Sequence, residues 1–319
     1  MRPRPLPHEI ISALFCVVGV VLLERMPVTY PRSALFLAYA QPIAVICVLA
    51  LIVTAIRRRR DRAVLRADAV EIIRGCVPLA LVLATAFVLK SFIHLINRRV
   101  WDRQLFALDQ TLHGGYSPTI FLVTLLGNPH LLRVIDLIYS SVYYVIFFGG
   151  AALLLAFLPA GLRLRFAAAF VLMWTAGTFF YLALPSWGPV FSATHLVEEA
   201  LQSMPITVQV QSQLYRELSS LVRAPLAPRV VIFGCVAAFP SLHVGVVTLF
   251  AIAARRIARP LFLGALVLVV VMVIGSVVSG YHYLIDGYAG ALLAAGAWWL
   301  AGKTIATPAA PAAPPHPAP

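Results

Sequence analysis

Two short stretches of the sequence combine residue types that can perform acid–base and nucleophilic chemistry. The first is Pro240-Ser241-Leu242-His243, which stands directly before the apolar run "VGVVTLFAIAA". Proline and serine suit the first turn of a helix, and the amides of such a turn attract an anion, here beside His243. The alternative is an ordinary helix cap with a histidine at the membrane interface.

The second stretch is "SGYHYLIDGYAG", in which His282 and Asp286 stand four positions apart. If a helix begins near His282, both side chains lie on one helix face. A carboxylate that bonds one ring nitrogen fixes the tautomer and makes the other nitrogen a better nucleophile or base. The alternative is a pair that only satisfies two buried polar groups.

The chain between these stretches brings them back to the same side of a membrane. An apolar segment runs from His243 to "RRIARP", and a second segment, "LFLGALVLVVVMVIGSVV", runs back towards His282. Two histidines, an orienting aspartate and an anion-binding helix start would then converge. This set fits phosphoryl or phosphodiester transfer, in which one histidine attacks phosphorus and the other protonates the leaving oxygen.

The composition predicts the elements that must position these residues. The chain has 319 residues, of which 61% are hydrophobic and 12% charged, whereas soluble domains carry about 25% charged residues. Several apolar runs approach the ~20 residues that a transmembrane helix needs. We therefore predict an all-α polytopic membrane bundle with eight spans, at residues 10–24, 33–56, 73–97, 131–157, 165–185, 238–256, 260–280 and 282–304.

The start of the chain resembles a signal peptide, because the first apolar run follows Met-Arg-Pro-Arg-Pro. No small-residue cleavage site follows that run, so we predict a retained helix. The four cysteines are Cys16, Cys47, Cys76 and Cys235, and no C-x-x-C spacing occurs. Neither a zinc site nor a disulfide framework is indicated, and no metal or other cofactor is expected.

The basic residues predict the orientation in the membrane. The formal net charge is +13, and fifteen of the 25 Lys and Arg fall in segments on one side of the predicted spans, led by "RRRRDR". By the positive-inside rule these segments and both termini are cytoplasmic, and they favour anionic lipid headgroups. Few aromatic residues interleave with them, so nucleic acid is not an expected partner. The histidines then face the extracytoplasmic side of the cell inner (plasma) membrane.

The other side receives two long loops, at about 98–130 and 186–237. The first carries apolar residues at helical spacing, broken by Gly-Gly and Pro, and is expected to lie on the membrane surface or to re-enter it. The second contains the amphipathic segment "HLVEEALQSMPITVQVQSQLYRELSSLV", which could cover a site. No internal repeat is found.

Together, "FPSLHVG" and "GYHYLIDGYAG" resemble the type-2 phosphatidic acid phosphatase superfamily. The stretches "YLALPSWGPVF", "WDRQLFALDQTLHGG" and "LIYSSVYY" are most similar to its branch with the fungal inositol phosphorylceramide synthases. The resemblance implies a six-helix catalytic core at 73–304. Two additional helices and a basic cytoplasmic loop would occupy 1–72, and 305–319 would be a disordered Pro/Ala-rich tail.

The same resemblance implies roles for individual residues. His282 would be the nucleophile, Asp286 its orienting partner and His243 the general acid and base. Ser241 and the backbone near it would hold the phosphate.

The chain departs from the pattern of the phosphatases, which carry a Lys-x6-Arg-Pro motif and an arginine six residues before the nucleophilic histidine. Ser276 occupies that arginine position, and no Lys-x6-Arg-Pro occurs. Lys90 and His94, four positions apart at the end of the third span, are either head-group contacts or a snorkelling lysine with an interfacial histidine. We include Ser276 and Lys90 with Ser241 as expected phosphate-binding residues. Fewer cations favour a phosphodiester, with its single negative charge, over a monoester.

The sequence therefore predicts an enzyme that moves a phosphorylated head group, such as phosphoinositol, through a phospho-histidine intermediate. Its partners would be a membrane phospholipid donor and a lipid or sugar hydroxyl acceptor. One alternative is a lipid or polyprenyl phosphate phosphatase that uses water as acceptor. The other is a transporter or structural membrane protein, although a transporter would place its site near the midplane between repeats.

Other polar residues of the outer regions are assigned smaller roles. Asp136, Tyr139 and Tyr143 are assigned to packing on one face of the fourth span, and Trp187 to an interface anchor. Arg98, Arg99 and Arg103 are assigned to the outer interface, with contact of one of them to the head group as the alternative. Asp102 and Asp109 are assigned to support of the surface helix, without chemistry.

Overall fold

The chain folds as a bundle of helices in a computed structural model that describes residues 5–25, 32–223 and 236–305. No β-strand occurs in these ranges, and seven of their helices are long and apolar enough to cross a membrane. The predicted fold class, a polytopic helical membrane bundle, is confirmed. Cys235, the basic residues Arg2 and Arg4, and residues 306–319 of the predicted tail lie outside the described residues.

Eight helices precede residue 160, with a π-helical turn at Ile138–Val142 (the π turn) between the last two. They are α1 (Pro7–Glu24), α2 (Arg32–Arg57), α3 (Arg62–Ser91), α4 (Ile93–Ile96), α5 (Asp102–Leu112), α6 (Pro118–Leu125), α7 (Pro129–Leu137) and α8 (Tyr143–Phe157).

Seven more helices follow, with one 3₁₀ turn at Thr194–Leu196. They are α9 (Leu162–Ala183), α10 (Pro189–Ser192), α11 (Glu198–Leu201), α12 (Pro205–Arg223), α13 (Leu242–Ala254), α14 (Arg259–Val278) and α15 (Leu284–Thr304).

Each predicted span coincides with a helix, and the fourth coincides with α7, the π turn and α8 in continuous succession. The exception in length is α13, which has 13 residues. At 1.5 Å per residue it is about 20 Å long, whereas the hydrocarbon core is ~30 Å thick. At least one end of α13 must therefore lie inside the bundle, where lipid cannot satisfy its polar groups.

Helices α3 and α9 form the centre of the bundle. In their apolar 18-residue stretches 67% and 61% are buried, whereas 22–28% is buried in those of α1, α2 and α14. Helices α13 and α15 pack together and against α9. Helices α1 and α2 pack on α3, and an ion pair of 2.7 Å between Glu9 and Arg74 joins α1 to α3. The N-terminal helices are thus part of the same bundle, and residues 72 and 73 both lie within α3.

Three helix boundaries near the site or the basic loop differ from those predicted, and one of them has a clear local reason. Helix α3 begins at Arg62 rather than at residue 73, because the Asp61 carboxylate accepts a hydrogen bond from the Val64 amide at 3.0 Å and caps the helix. It ends at Ser91, so the predicted third span, 73–97, is interrupted. Helix α15 begins two residues after His282, at Leu284.

The basic end of the bundle is tied together by a buried arginine. Arg163, at the start of α9, is 1% exposed and lies 2.8 Å from the Asp68 carboxylate and 3.2 Å from that of Glu71, both on α3. Its other guanidinium nitrogens donate to the carbonyls of Leu155 and Leu158 at the end of α8. Arg163 therefore holds three helices in register at the end away from His243.

We predict that Arg163→Ala destabilises the folded protein by about 3–5 kcal/mol, because it leaves the Asp68 carboxylate buried without its main partner. Arg58→Ala is the matched control, since Arg58 contacts the same carboxylate at 3.2 Å but is 43% exposed. An exposed pair contributes about 1 kcal/mol or less. Thermal unfolding in detergent measures both changes, and equal shifts for the two variants would contradict the assignment.

Candidate active site

The structure brings together two histidines that are 39 positions apart in the sequence. His243 lies in the first turn of α13, and His282 lies in the connection between α14 and α15. The ring centroids are 6.0 Å apart and the planes are inclined by 67°. His282 is 4% exposed and His243 is half-buried. One phosphoryl group between the rings could contact both of them.

Asp286 orients the His282 ring and also connects the two sequence stretches. Its Oδ2 lies 3.2 Å from His282 Nδ1 and accepts a hydrogen bond from the Tyr283 amide at 3.1 Å. A proton on Nδ1 satisfies this contact, which leaves Nε2 as the basic nitrogen of the neutral ring. The Asp286 carbonyl accepts from the Ser241 amide at 2.9 Å.

Two glycines allow α13 and α15 to approach closely enough for this arrangement. A Cβ atom added at Gly290 would overlap the Ser241 carbonyl, and one added at Gly245 would lie 3.2 Å from the Gly290 carbonyl. The backbones of the two helices are therefore in direct contact. This contact sets the distance between His243, on α13, and the Asp286–His282 pair at the start of α15.

The two predicted phosphate-binding serines are both engaged in local hydrogen bonds. Ser241 is the N-cap of α13, as its type and position predict, and its Oγ accepts from the Val244 amide at 3.5 Å. The Ser276 hydroxyl donates to the Val273 carbonyl at 2.8 Å, and the Ser276 carbonyl accepts from the His282 amide at 3.1 Å. Ser276 thus holds the backbone of His282, and both serines border the histidines.

Lys90 and His94 do not form the expected pair along one helix, because α3 ends between them. The Lys90 ammonium lies 5.1 Å from the centre of the Tyr181 ring and acts electrostatically on both His243 and His282.

His94 is turned towards another part of the structure. Its Nδ1 accepts from the Trp187 indole at 3.2 Å, and its Nε2 lies 3.0 Å from the Val236 carbonyl. Burial lowers the pKa of His94, and the hydrogen bond to Val236 acts in the opposite direction. The ring is therefore neutral, with its proton on Nε2, and is no cationic partner for a phosphate. Trp187, predicted to be an interface anchor, donates this hydrogen bond within the structure.

Three tyrosine rings lie beside the histidines: two contact His243, and the third stacks on one of those two. The rings of Tyr139 and Tyr143 lie 5.7 and 5.0 Å from that of His243, and the Tyr281 ring stacks on Tyr139 at 5.8 Å. Tyr139 and Tyr143, which the sequence assigned to packing, therefore border the site directly. Asp136 has a different place, since its carboxylate accepts from the amides of Ile206 and Thr207, both at 2.8 Å, and caps α12.

Helix α5 joins the segment around Trp187 to the segment that follows His282 through two carboxylates, Asp102 and Asp109. The sequence had suggested no role near the histidines for either of them. Asp102 is 5% exposed and accepts hydrogen bonds from the amides of Trp187 and Gly188, both at 2.8 Å, and from the Tyr283 hydroxyl at 3.2 Å. Burial raises the pKa of the Asp102 carboxyl above its usual range, and the hydrogen bonds from the two amides lower it in part.

Asp109, two turns further along α5, accepts from the Ile285 amide at 2.9 Å. The spacing of seven places the carboxylates of Asp102 and Asp109 on one helix face. This spacing could have been detected in the sequence. Two acidic residues that share a helix face with Leu105 need either hydrogen-bond donors inside the protein or contact with water.

The loop "PSWGP" connects the two histidine stretches to each other. The Ser186 carbonyl accepts from the Ala238 amide at 3.0 Å, and its hydroxyl accepts from the Phe239 amide at 2.9 Å. Gly188 has a φ of +83° and lies so close to the Tyr281 carbonyl that a Cβ atom would overlap it. The loop therefore positions the segment before His243 and the segment before His282 at once.

The amphipathic segment that was predicted to cover a site forms α12, which packs on these elements. The Gln211 side chain donates to the Ser279 carbonyl at 2.6 Å, and Leu214 packs with Tyr281 and Trp187. In the described parts of the chain, no three His, Cys, Asp or Glu side chains cluster as a metal site requires.

A comparison with protein families agrees with this geometry. A family model described as the PAP2 superfamily matches residues 103–300, a segment that contains α13, α14 and most of α15. The match specifies no branch of the superfamily. No curated protein and no solved structure matches the chain. Because the match spans well over half of the 319 residues, the chain belongs to the PAP2 superfamily, which indicates a lipid enzyme of the phosphatase or phosphotransferase type.

Proposed function

We propose that the protein transfers a phosphorylated head group from a membrane phospholipid to a lipid or sugar hydroxyl, through a phosphorylated His282. The observation that supports this most is the His243–His282–Asp286 geometry, with the rings 6.0 Å apart and His282 Nδ1 held by a carboxylate. A phosphodiester lipid such as phosphatidylinositol is the proposed donor, in line with the resemblance of the sequence to the inositol phosphorylceramide synthase branch.

In the first half-reaction, the Nε2 lone pair of His282 attacks the phosphorus of the donor. The bond from phosphorus to the diacylglycerol oxygen breaks, and protonated His243 gives its proton to that oxygen. Asp286 stabilises the positive charge that develops on the His282 ring, because it accepts the Nδ1 proton. The products are free diacylglycerol, neutral His243 and a head group joined to His282 through phosphorus.

In the second half-reaction, His243 accepts the proton of the acceptor hydroxyl. The acceptor oxygen attacks phosphorus, the bond between phosphorus and nitrogen breaks, and both histidines return to their starting protonation. Water in place of the acceptor would make the same protein a phosphatase or phosphodiesterase. The choice between transfer and hydrolysis therefore depends on which hydroxyl reaches His243.

The charge near the histidines favours a phosphodiester donor. Lys90 is the cation that acts on both rings among the described residues. Ser276 occupies the position at which the phosphatases carry an arginine. A phosphodiester has one negative charge and a monoester has up to two, so a site with one nearby cation suits the diester better.

We further propose that the site faces the extracytoplasmic side of the inner membrane. Arg165 at the start of α9 donates to the Trp298 carbonyl near the end of α15 at 3.1 Å, so these ends lie together, away from His282. Lys303 lies in the last turn of α15, and Arg255 directly follows α13. Basic residues thus collect at the end opposite the histidines, which the positive-inside rule places in the cytoplasm.

The reaction is tested with purified full-length protein and head-group-labelled phosphatidylinositol, with and without a lipid alcohol acceptor. We expect label to move to the acceptor. His243→Ala should lower the rate roughly 10²- to 10⁴-fold, and His282→Ala should lower it further, because the nucleophile is removed. His195→Ala is the control, since His195 is exposed on a 3₁₀ turn.

Other results would select the competing functions. Free phosphate released from a lipid monoester, at a rate that does not depend on the acceptor, would identify a phosphatase. Normal turnover by both histidine variants would exclude this mechanism. No turnover of either the labelled phosphatidylinositol or the lipid monoester by the unchanged protein would leave a transport or structural role.

We predict that Asp102→Asn lowers kcat roughly 10- to 100-fold with a smaller change in KM, because an amide cannot accept from both the Trp187 and Gly188 amides and the Tyr283 hydroxyl. Asp102 touches no substrate and acts by positioning Tyr283 and, through it, His282. Arg163→Ala is the comparison, since it destabilises the opposite end of the bundle. Equal losses of kcat in the two variants, assayed well below their melting temperatures, would reduce Asp102 to a stability role.

The orientation is tested with single cysteines in a variant that lacks the four native cysteines. Tyr116→Cys, at a position that is 78% exposed next to α5, should react with a membrane-impermeant thiol reagent in intact cells. Arg60→Cys, at an exposed position between α2 and α3, should react only after permeabilisation. The reverse pattern would place the site on the cytoplasmic side.

A further inference from the structure

The hydroxyl of Tyr139 is a buried polar group for which the described part of the chain supplies no hydrogen-bond partner. Tyr139 is 5% exposed, and its hydroxyl is closed to solvent. Burial of an unpaired donor costs free energy that a native structure seldom leaves uncompensated. Its ring lies against His243, at 5.7 Å between centroids, so the unpaired group belongs to a residue in contact with one of the two histidines.

The backbone at Tyr139 is also unusual. Tyr139 lies in the π turn, a five-residue interruption between the α-helical segments α7 and α8. Such turns are rare and are often found at functional sites, because they change the direction in which a side chain projects. Tyr139 in the π turn and Tyr143 at the start of α8 both contact the ring of His243.

Helix α14 has a gap that accommodates the ring. A Cβ atom added at Gly275 would lie 3.0–3.2 Å from three atoms of Tyr139, closer than ordinary van der Waals contact. Gly275 directly precedes Ser276, whose carbonyl holds the His282 amide. Tyr139 thus contacts α14 one residue before Ser276, the ring of His243 and the ring of Tyr281, which stacks on it.

We infer that Tyr139 is a substrate-binding residue, whose phenol donates a hydrogen bond to a non-bridging phosphoryl oxygen held between His243 and His282. This inference rests on the proposed function for the identity of the substrate, but it requires only that a phosphoryl group binds there. A phenol is a neutral donor, so it stabilises the phosphoryl oxygens without an added charge. That property suits a monoanionic phosphodiester beside Lys90, the one cation that acts on both rings among the residues that the structure describes.

The test is Tyr139→Phe, which removes the hydroxyl and keeps the ring that packs at Gly275. Tyr39→Phe is the matched control, because Tyr39 is also buried but its hydroxyl lies 3.4 Å from Ser91 in the interface between α2 and α3. The probe is orthovanadate, which mimics a phosphoryl group during transfer. Its binding to the full-length protein is measured by calorimetry and by the shift in melting temperature.

We expect Tyr139→Phe to weaken orthovanadate binding roughly 10- to 100-fold, the loss typical of a hydrogen bond to a charged acceptor, and Tyr39→Phe to leave it unchanged. The melting temperature of unliganded Tyr139→Phe should equal or exceed that of the unchanged protein, because the substitution removes an unsatisfied polar group. A hydroxyl with a merely structural role would give the opposite result, a lower melting temperature with unchanged orthovanadate affinity.

The outcomes separate this inference from the proposed function. Failure of labelled phosphatidylinositol to react, together with weaker orthovanadate binding by Tyr139→Phe, would overturn the donor and keep Tyr139 as a phosphoryl ligand. Unchanged orthovanadate affinity and unchanged kcat/KM in Tyr139→Phe would overturn the role of Tyr139, even if head-group transfer is confirmed. A protein that binds no orthovanadate and turns over normally as Tyr139→Phe would overturn it as well.

Discussion

Backbone polar groups buried in a membrane protein must find their hydrogen-bond partners within the protein, because lipid offers none. In this structure the backbone amides and carbonyls of three non-helical segments need such partners. The segments are the "PSWGP" loop, the residues before α13 and the residues before α15. The Asp102 carboxylate joins the first of them to the third, since it accepts from two amides of the loop and from the Tyr283 hydroxyl. Ser186 joins the loop to the second segment. The irregular backbone is thus satisfied mainly by itself and by α5.

The positions of the histidines follow from this requirement. Neither histidine lies in the middle of a long helix: His243 is in the first turn of a short one, and His282 precedes another. Asp286 serves both, because its side chain holds His282 and its carbonyl holds the Ser241 amide at the cap of α13. The hydrogen bonds that pair the backbone at the starts of α13 and α15 therefore also fix the relative position of the two histidine rings. No further polar side chain is needed for this.

Part of this arrangement could be predicted from the sequence, because its signals are local. Apolar runs predict the spans, the serine before "LHVG" predicts the cap of α13, and the spacing of His282 and Asp286 predicts their contact. The end of α3 at Ser91 could not be predicted, because the residues that follow remain apolar and no Gly or Pro marks the break. The partners of Asp102 were equally hidden, since they lie 85 to 181 positions away and depend on tertiary structure.

Helix α12 links the remaining elements to the histidine segments. Helix α12 is held at its start by Asp136, three positions before Tyr139, and along its length by Gln211, which bonds the Ser279 carbonyl three positions before His282. Its attachments are therefore close in sequence to the two elements that border the phosphoryl position. His282 and Tyr139 are almost completely buried, and the hydrogen bonds that hold α12 are made by residues three positions before each of them. A displacement of α12 would therefore disturb the π turn and the segment that carries His282 together.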